Sequence, residues 1–121
     1  MKKTVLITGA SRGIGKICSI IFAQKGYNIA INYNTSESNA NKIKEDIILN
    51  GGVAETYQAD VSSYQQVADM VKKVSHDFGR IDVLINNAGI SMHKVFTDVT
   101  SEEWEKICGV NLSGAVYCCR E

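Results

Sequence analysis

Four short apolar runs alternate with longer stretches whose apolar residues recur three or four apart, and glycines punctuate the changes. That alternation restricts the fold more than any other feature of the chain. A continuous run of Val, Ile, Leu or Thr suits a strand covered on both faces, whereas spacings of three and four mark one side of a helix. Thr4 to Thr8 (TVLIT), Ile29 to Tyr33 (IAINY), Val53 to Ala59 and Ile81 to Ile85 (IDVLI) read as strands, the third less apolar and so nearer an edge. Ile14, Ile17, Cys18 and Ile21 lie at helical spacing before a stop at Gly26. Ser36 is placed to cap a helix carrying Ala40, Ile43 and Ile47, ended by Gly51-Gly52. Val67, Met70, Val71, Val74 and Phe78 mark a third helix closed by Gly79. Thr100 with Glu103 forms a capping box for a last one through Trp104, Ile107 and Cys108. Strand and helix in strict alternation predict an α/β unit with parallel strands joined by crossover helices.

Composition agrees with one globular domain over residues 1–121: 45% of the chain is hydrophobic and 21% charged. The 13 basic and 13 acidic residues cancel, which argues against nucleic acid or an anionic membrane as a bulk electrostatic partner. No segment is long enough to cross a bilayer. The opening MKKTVLITGA imitates a signal peptide only weakly, because its apolar part is short and Arg12 follows at once. Cys18, Cys108, Cys118 and Cys119 show no metal-site spacing and only His76 and His93 could assist them, so no metal is expected. The cysteines read as small buried residues of a protein kept in a reducing, cytoplasmic compartment.

Between the first strand and first helix stands TGASRGIG, with glycines at Gly9, Gly13 and Gly15 and one large apolar residue, Ile14. A bare turn there lets a pyrophosphate approach the backbone, and the free N–H groups of the helix start bind its charge. Lys16 invites comparison with an ATP- or GTP-binding loop, but that pattern counted from Gly9 requires glycine at Ile14 and lysine at Gly15. The register fails.

With Asp60 after the third strand, Asn86-Asn87-Ala88-Gly89 after the fourth, and Asn111 in the last helix, the chain resembles the short-chain dehydrogenases/reductases. Within that family it is most similar to the 3-oxoacyl-carrier-protein reductase group. The resemblance covers the whole chain. It implies a Rossmann-type doubly wound parallel sheet, here truncated after the fourth strand and the start of the following helix. It further implies NADPH-dependent reduction of a ketone, of 3-oxoacyl type or a related carbonyl, to an alcohol. The substrate would be a small molecule or carrier-bound, and the whole protein a homo-oligomer.

The cofactor-binding residues so implied are Gly9, Ser11, Arg12, Gly13, Ile14 and Gly15 in the turn, Asn32 and Tyr33 at the end of strand two, Asp60 and Val61 for the adenine, and Asn87, Ala88 and Gly89 beside the ribose. An acid near the end of strand two would bind the ribose 2′-OH of NAD(H); roughly twenty residues past the glycines stand Ile31, Asn32 and Tyr33 instead. Arg12 offers a cation to a 2′-phosphate. NADP(H) is therefore favoured over NAD(H), and Asn32→Asp is expected to weaken NADPH more than NADH. Asp60 has a bland alternative as a helix cap, which Ser62 or Ser63 could equally provide. Asn86 is expected to tie neighbouring strands. Trp104 and Met92 read as packing or pocket wall, and His93 as a solvated loop residue.

Asn111 begins Asn-Leu-Ser-Gly, and in the family this asparagine holds a water in a proton relay, which makes it the catalytic candidate. The family's serine and its Tyr-x-x-x-Lys are not found: Tyr117 is the only late tyrosine, and Glu121 stands four residues after it. The sequence is accordingly expected to be the N-terminal, cofactor-binding portion of a longer enzyme. The alternative is a dinucleotide-binding module, or an inactive truncated product, without catalysis of its own.

Overall fold

The computed structural model describes residues 2–121. Its strands are β1 (Thr4–Ile7), β2 (Asn28–Tyr33), β3 (Val53–Gln58) and β4 (Val83–Ile85). They form one parallel sheet in the order β3-β2-β1-β4, so the order reverses beside β1, where open α/β sheets leave a crevice at the carboxyl ends of their strands. The helices are α1 (Gly13–Gln24), α2 (Glu37–Leu49), α3 (Tyr64–Phe78), α4 (Ser101–Cys108) and α5 (Gly114–Arg120). A π-helical turn, Gly109–Ser113, joins α4 to α5, and a 3₁₀ turn, Phe96–Asp98, precedes α4.

Both faces of the sheet are covered, which is why β1 is an unbroken apolar run. Val5 and Ile7 pack with Ala40, Ile43 and Ile47 of α2 and with Phe22 of α1. Leu6, pointing the other way, packs with Val67, Met70 and Val74 of α3 and Cys118 of α5. The doubly wound architecture follows directly. β3 lies at an edge, as its weaker apolar character predicts.

Several local expectations are corrected. Ser36 is the N-cap of α2 but its side chain accepts no capping hydrogen bond, whereas Ser63 accepts from Gln66 N–H at 3.3 Å and Thr100 from Glu103 N–H at 3.1 Å. The apolar spacing of α1 does not mark its buried side. Ile14 is 72% exposed, and Gly15 and Ser19 meet the sheet instead, because small residues let the helix backbone lie close. Trp104 is 59% exposed and joins neither core cluster, while Met92 is half-buried. His93 is exposed in its loop.

The fourth strand starts two residues later than its sequence predicts because Asp82 serves another purpose. Its carboxylate accepts from Thr4 N–H at 2.8 Å and pairs with the Arg80 guanidinium, pinning the start of β1. Arg80 first, then the Thr4 N–H, holds the Asp82 carboxyl below its ordinary 3.8. A depressed carboxyl contributes stability that is present above its unfolded value and lost as pH falls below it. We expect Asp82→Asn to lower the melting temperature at pH 7 and to flatten its fall on acidification below 3.8. Thermal melts followed by circular dichroism across that range test this; parallel curves for parent and variant would exclude the role.

Candidate functional site

The carboxyl ends of the strands enclose a crevice of about 540 Å³. Its floor comes from the turn after β1 (Gly9, Ser11, Arg12, Gly13) and its near end from Asn32 to Ser36 after β2. Ala59 to Ser62 follow β3, Asn87 to Ile90 follow β4, and Lys106 and Val110 close one wall. Asp60 is the sole carboxylate among these lining residues, against the cations Arg12 and Lys106.

The three glycines of the turn do different work. Gly9 has φ +60°, and a Cβ on it would lie 2.8 Å from Ala88 Cα. A Cβ on Gly15 would lie 2.6 Å from Asn87 Nδ2 and 2.8 Å from Ala10 Cα, so Gly15 serves helix-to-strand packing and does not line the crevice. Gly13, at φ +59°, has nothing within 4 Å and leaves open space where a ligand can come close. Ile14 also lies outside the lining; its side chain points to solvent and its backbone belongs to the first turn of α1. Arg12 is the N-cap of α1 and supplies no side-chain acceptor, and no acidic residue stands in the first turn. The twelve-residue helix therefore starts at the crevice, at Gly13, with its leading N–H groups uncapped by a side chain and no carboxylate in its first turn.

Two side chains hold this turn in place. Asn87 Nδ2 donates to Thr8 O at 3.1 Å and Gly9 O at 3.0 Å, while Thr8 Oγ1 accepts from the N–H groups of Asn87 and Ala88, both at 3.0 Å. The strand tie expected of Asn86 therefore falls to Asn87. Asn86 is exposed and donates to Cys119 Sγ at 3.3 Å, because alternation along the strand turns it the other way.

Asn32 is 2% exposed and its amide is fully engaged: Oδ1 accepts from Gly9 N–H at 3.1 Å, and Nδ2 donates to Tyr57 O and Ala59 O, each at 3.2 Å. Its position touches the crevice, but the side chain is turned into the protein. An acid at 32 is expected from the sequence to face a ribose; the side chain at this position instead faces Gly9, Tyr57 and Ala59, and the exposed residues at this end of the crevice are Asn34 and Thr35. Tyr33 is buried, and burial followed by the Glu37 carboxylate raises its phenol, which stays protonated.

Asp60 Oδ1 accepts from Ser62 N–H at 3.0 Å and Ser62 Oγ at 2.6 Å. Since Ser63 caps α3, Asp60 does not, and Oδ2 has no hydrogen-bond partner among the described residues. Val61 is buried beside it. Gly89 is exposed at the lip of the crevice. Asn111 lies in the π-helical turn, where it clamps the loop after β4: Ile90 N–H donates to Oδ1 at 2.8 Å and Nδ2 donates to Ile90 O at 2.9 Å. Each polar atom of that exposed side chain thus has one protein partner and keeps one further donor or acceptor free.

The sequence pattern missed Asn34, Thr35, Ser36, Ala59, Ser62, Ile90, Lys106 and Val110 of the lining. A signal existed for Asn34 to Ser36, since each strand's carboxyl end contributes to such a crevice. None existed for Lys106, an ordinary helix lysine by sequence. Among the described residues no group of three His, Cys, Asp or Glu side chains comes together, and no helix is long and apolar enough to cross a membrane.

Sheet order, glycine turn and the Asn87 tie define a dinucleotide-type α/β protein. The chain belongs to the short-chain dehydrogenase family, an oxidoreductase family, whose pattern matches residues 3–121. It is 39% identical over 118 residues to the 3-oxoacyl-[acyl-carrier-protein] reductase FabG of Staphylococcus epidermidis, covering 98% of this chain and 48% of that one. It is 37% identical over 119 residues to versicolorin reductase 1 of Dothistroma septosporum, covering 98% and 45%. A solved short chain dehydrogenase of Burkholderia cenocepacia, in complex with NADP, superimposes with TM-score 0.94 at 32% identity over 98% of this chain and 48% of that one. A metagenomic short-chain oxidoreductase, also in complex with NADP, gives TM-score 0.92 at 28% identity over 98% and 53%. The chain spans about half the length of the relatives it matches.

Proposed function

We propose that the crevice binds NADP(H), with NAD(H) second, and that the whole polypeptide reduces a ketone, 3-oxoacyl or a related carbonyl, to an alcohol. The observation that carries this reading is the crevice's charge: two cations and an uncapped helix start against one carboxylate. NADP(H), when bound, supplies or accepts the hydride.

The fit is physical. Gly13, Ile14 and Gly15 offer backbone N–H groups to the pyrophosphate, with Ser11 at their side. Asp60 Oδ2 accepts from the adenine amino group and Val61 N–H meets the ring. Asn87, Ala88 and Gly89 border the ribose. Ser36, whose hydroxyl takes no part in capping α2, joins Arg12 in receiving a 2′-phosphate. Asn111, by clamping Ile90, sets the loop that leads from the ribose to the carbonyl. The proton donor and the serine that orients the carbonyl would come from sequence outside this chain, and the whole protein would act as a cytoplasmic homo-oligomer.

The test is a calorimetric titration of NADPH and NADH against the full polypeptide and its Arg12→Gln variant. A charged hydrogen bond to a phosphate is worth about 1.5–3 kcal/mol, so NADPH should weaken by about 10- to 100-fold while NADH changes little. Equal loss for both cofactors would remove the 2′-phosphate from the reading. Binding of NADPH without turnover of any 3-oxoacyl substrate would favour the alternative, a module that binds the dinucleotide without catalysis.

A further inference from the structure

We propose that Lys106 is a further nucleotide-binding residue, holding the phosphate-bearing adenosine end of the dinucleotide from the α4 wall of the crevice. The inference rests on the crevice being a dinucleotide site. No pattern in the glycine turn or the strand ends includes this lysine.

Its placement is not that of an idle surface lysine. Glu102 precedes it by four residues, the spacing at which acid and base pair along a helix, yet Lys106 forms no ion pair among the described residues. Glu103 is engaged by Lys94 at 2.7 Å and by the Thr100 hydroxyl. Lys106 lines the crevice instead, together with Val110 one turn along the same helix face. The backbone of Gly109 fixes the height of that face. A Cβ on it would come 3.1 Å from Ser62 Cβ, so α4 runs close against the turn that carries Asp60.

The wall that carries Lys106 therefore lies against the Asp60 turn, while Arg12 stands at the start of α1. Lys106, unpaired among the described residues, thus adds to Arg12 and the helix start as positive charge facing a single carboxylate in the lining. An adenosine bearing both a 5′- and a 2′-phosphate suits such a wall better than adenosine monophosphate does. An exposed cation of this kind contributes through longer-range attraction, which salt screens.

Calorimetry on the full polypeptide with adenosine 2′,5′-bisphosphate and AMP, at low and physiological ionic strength, provides the test. Lys106→Gln should weaken the bisphosphate about three- to fivefold at low salt, the size expected of one exposed charge pair. Lys106→Glu should weaken it further, Lys106→Arg should preserve it, and the differences should shrink as salt rises. Lys72→Gln, on the exposed face of α3, serves as a control for net charge. If Gln and Glu variants, folded by circular dichroism, bind the bisphosphate as the parent does at low salt, the Lys106 role is overturned while the crevice reading stands. If the parent binds neither compound nor NADPH, the crevice reading falls and the Lys106 role with it.

Discussion

Gly15→Ala is expected to destabilise the protein by about 3 kcal/mol, the upper end of the cost of forcing a methyl group into a filled site. The added carbon would meet Asn87 Nδ2 at 2.6 Å, Ala10 Cα at 2.8 Å and Gly9 O at 2.9 Å. Two of those atoms are backbone and cannot swing aside. The third is the amide that joins the turn after β1 to the turn after β4, so its displacement breaks two hydrogen bonds. Gly13→Ala offers the contrast. Nothing lies within 4 Å of the place its methyl carbon would take, so the cost is that of a left-handed backbone at φ +59°, about 1–2 kcal/mol. Urea unfolding should rank Gly15→Ala as the less stable. In NADPH titration Gly13→Ala should lose affinity out of proportion to its small loss of stability, because its methyl occupies the open face. Equal ratios of binding loss to stability loss in the two variants would contradict this division of labour.

What the sequence made legible follows from how strongly burial constrains each element. β1 and β2 are covered on both faces, so almost every position must be apolar and the run cannot be mistaken. α3 is amphipathic in the simple sense, with Val67, Met70 and Val74 inward, and Gly79 ends it at φ +84°. α1 breaks the rule, since its closest approach to the sheet uses Gly15 and Ser19, and periodicity read on large apolar residues points to the wrong side. In the site, the turn glycines were readable because close approach and positive φ exclude other residues. Lys106 was not, because a polar residue on a helix surface carries no period, and Asn34, Thr35 and Ser36 carried no signal beyond their place after β2. For Asn32, counting to the end of a strand gives a position on the crevice lining and leaves the direction of the side chain to its engaged amide.

That orientation makes Asn32→Asp a far more damaging change than a ribose-reading position would allow. Aspartate matches asparagine in shape, and its Oδ1 can still accept from Gly9 N–H. Its other oxygen, however, would face Tyr57 O and Ala59 O at the 3.2 Å where a donor now stands. A charge so placed, at 2% exposure and against two carbonyls, should cost about 3–5 kcal/mol at neutral pH. Both causes favour the protonated acid, so the folded carboxyl titrates above its unfolded value. Stability relative to the parent is then retained below the unfolded value and lost as pH rises through the folded one, the reverse of the behaviour expected from Asp82. Urea unfolding of parent and variant from acid to neutral pH reads this directly: the gap between them should widen with rising pH. Asn32→Leu, which removes the hydrogen bonds without adding a charge, should show a gap that pH does not change. A constant gap for aspartate as well would mean that water reaches position 32, and the side chain would then be open to a ribose after all.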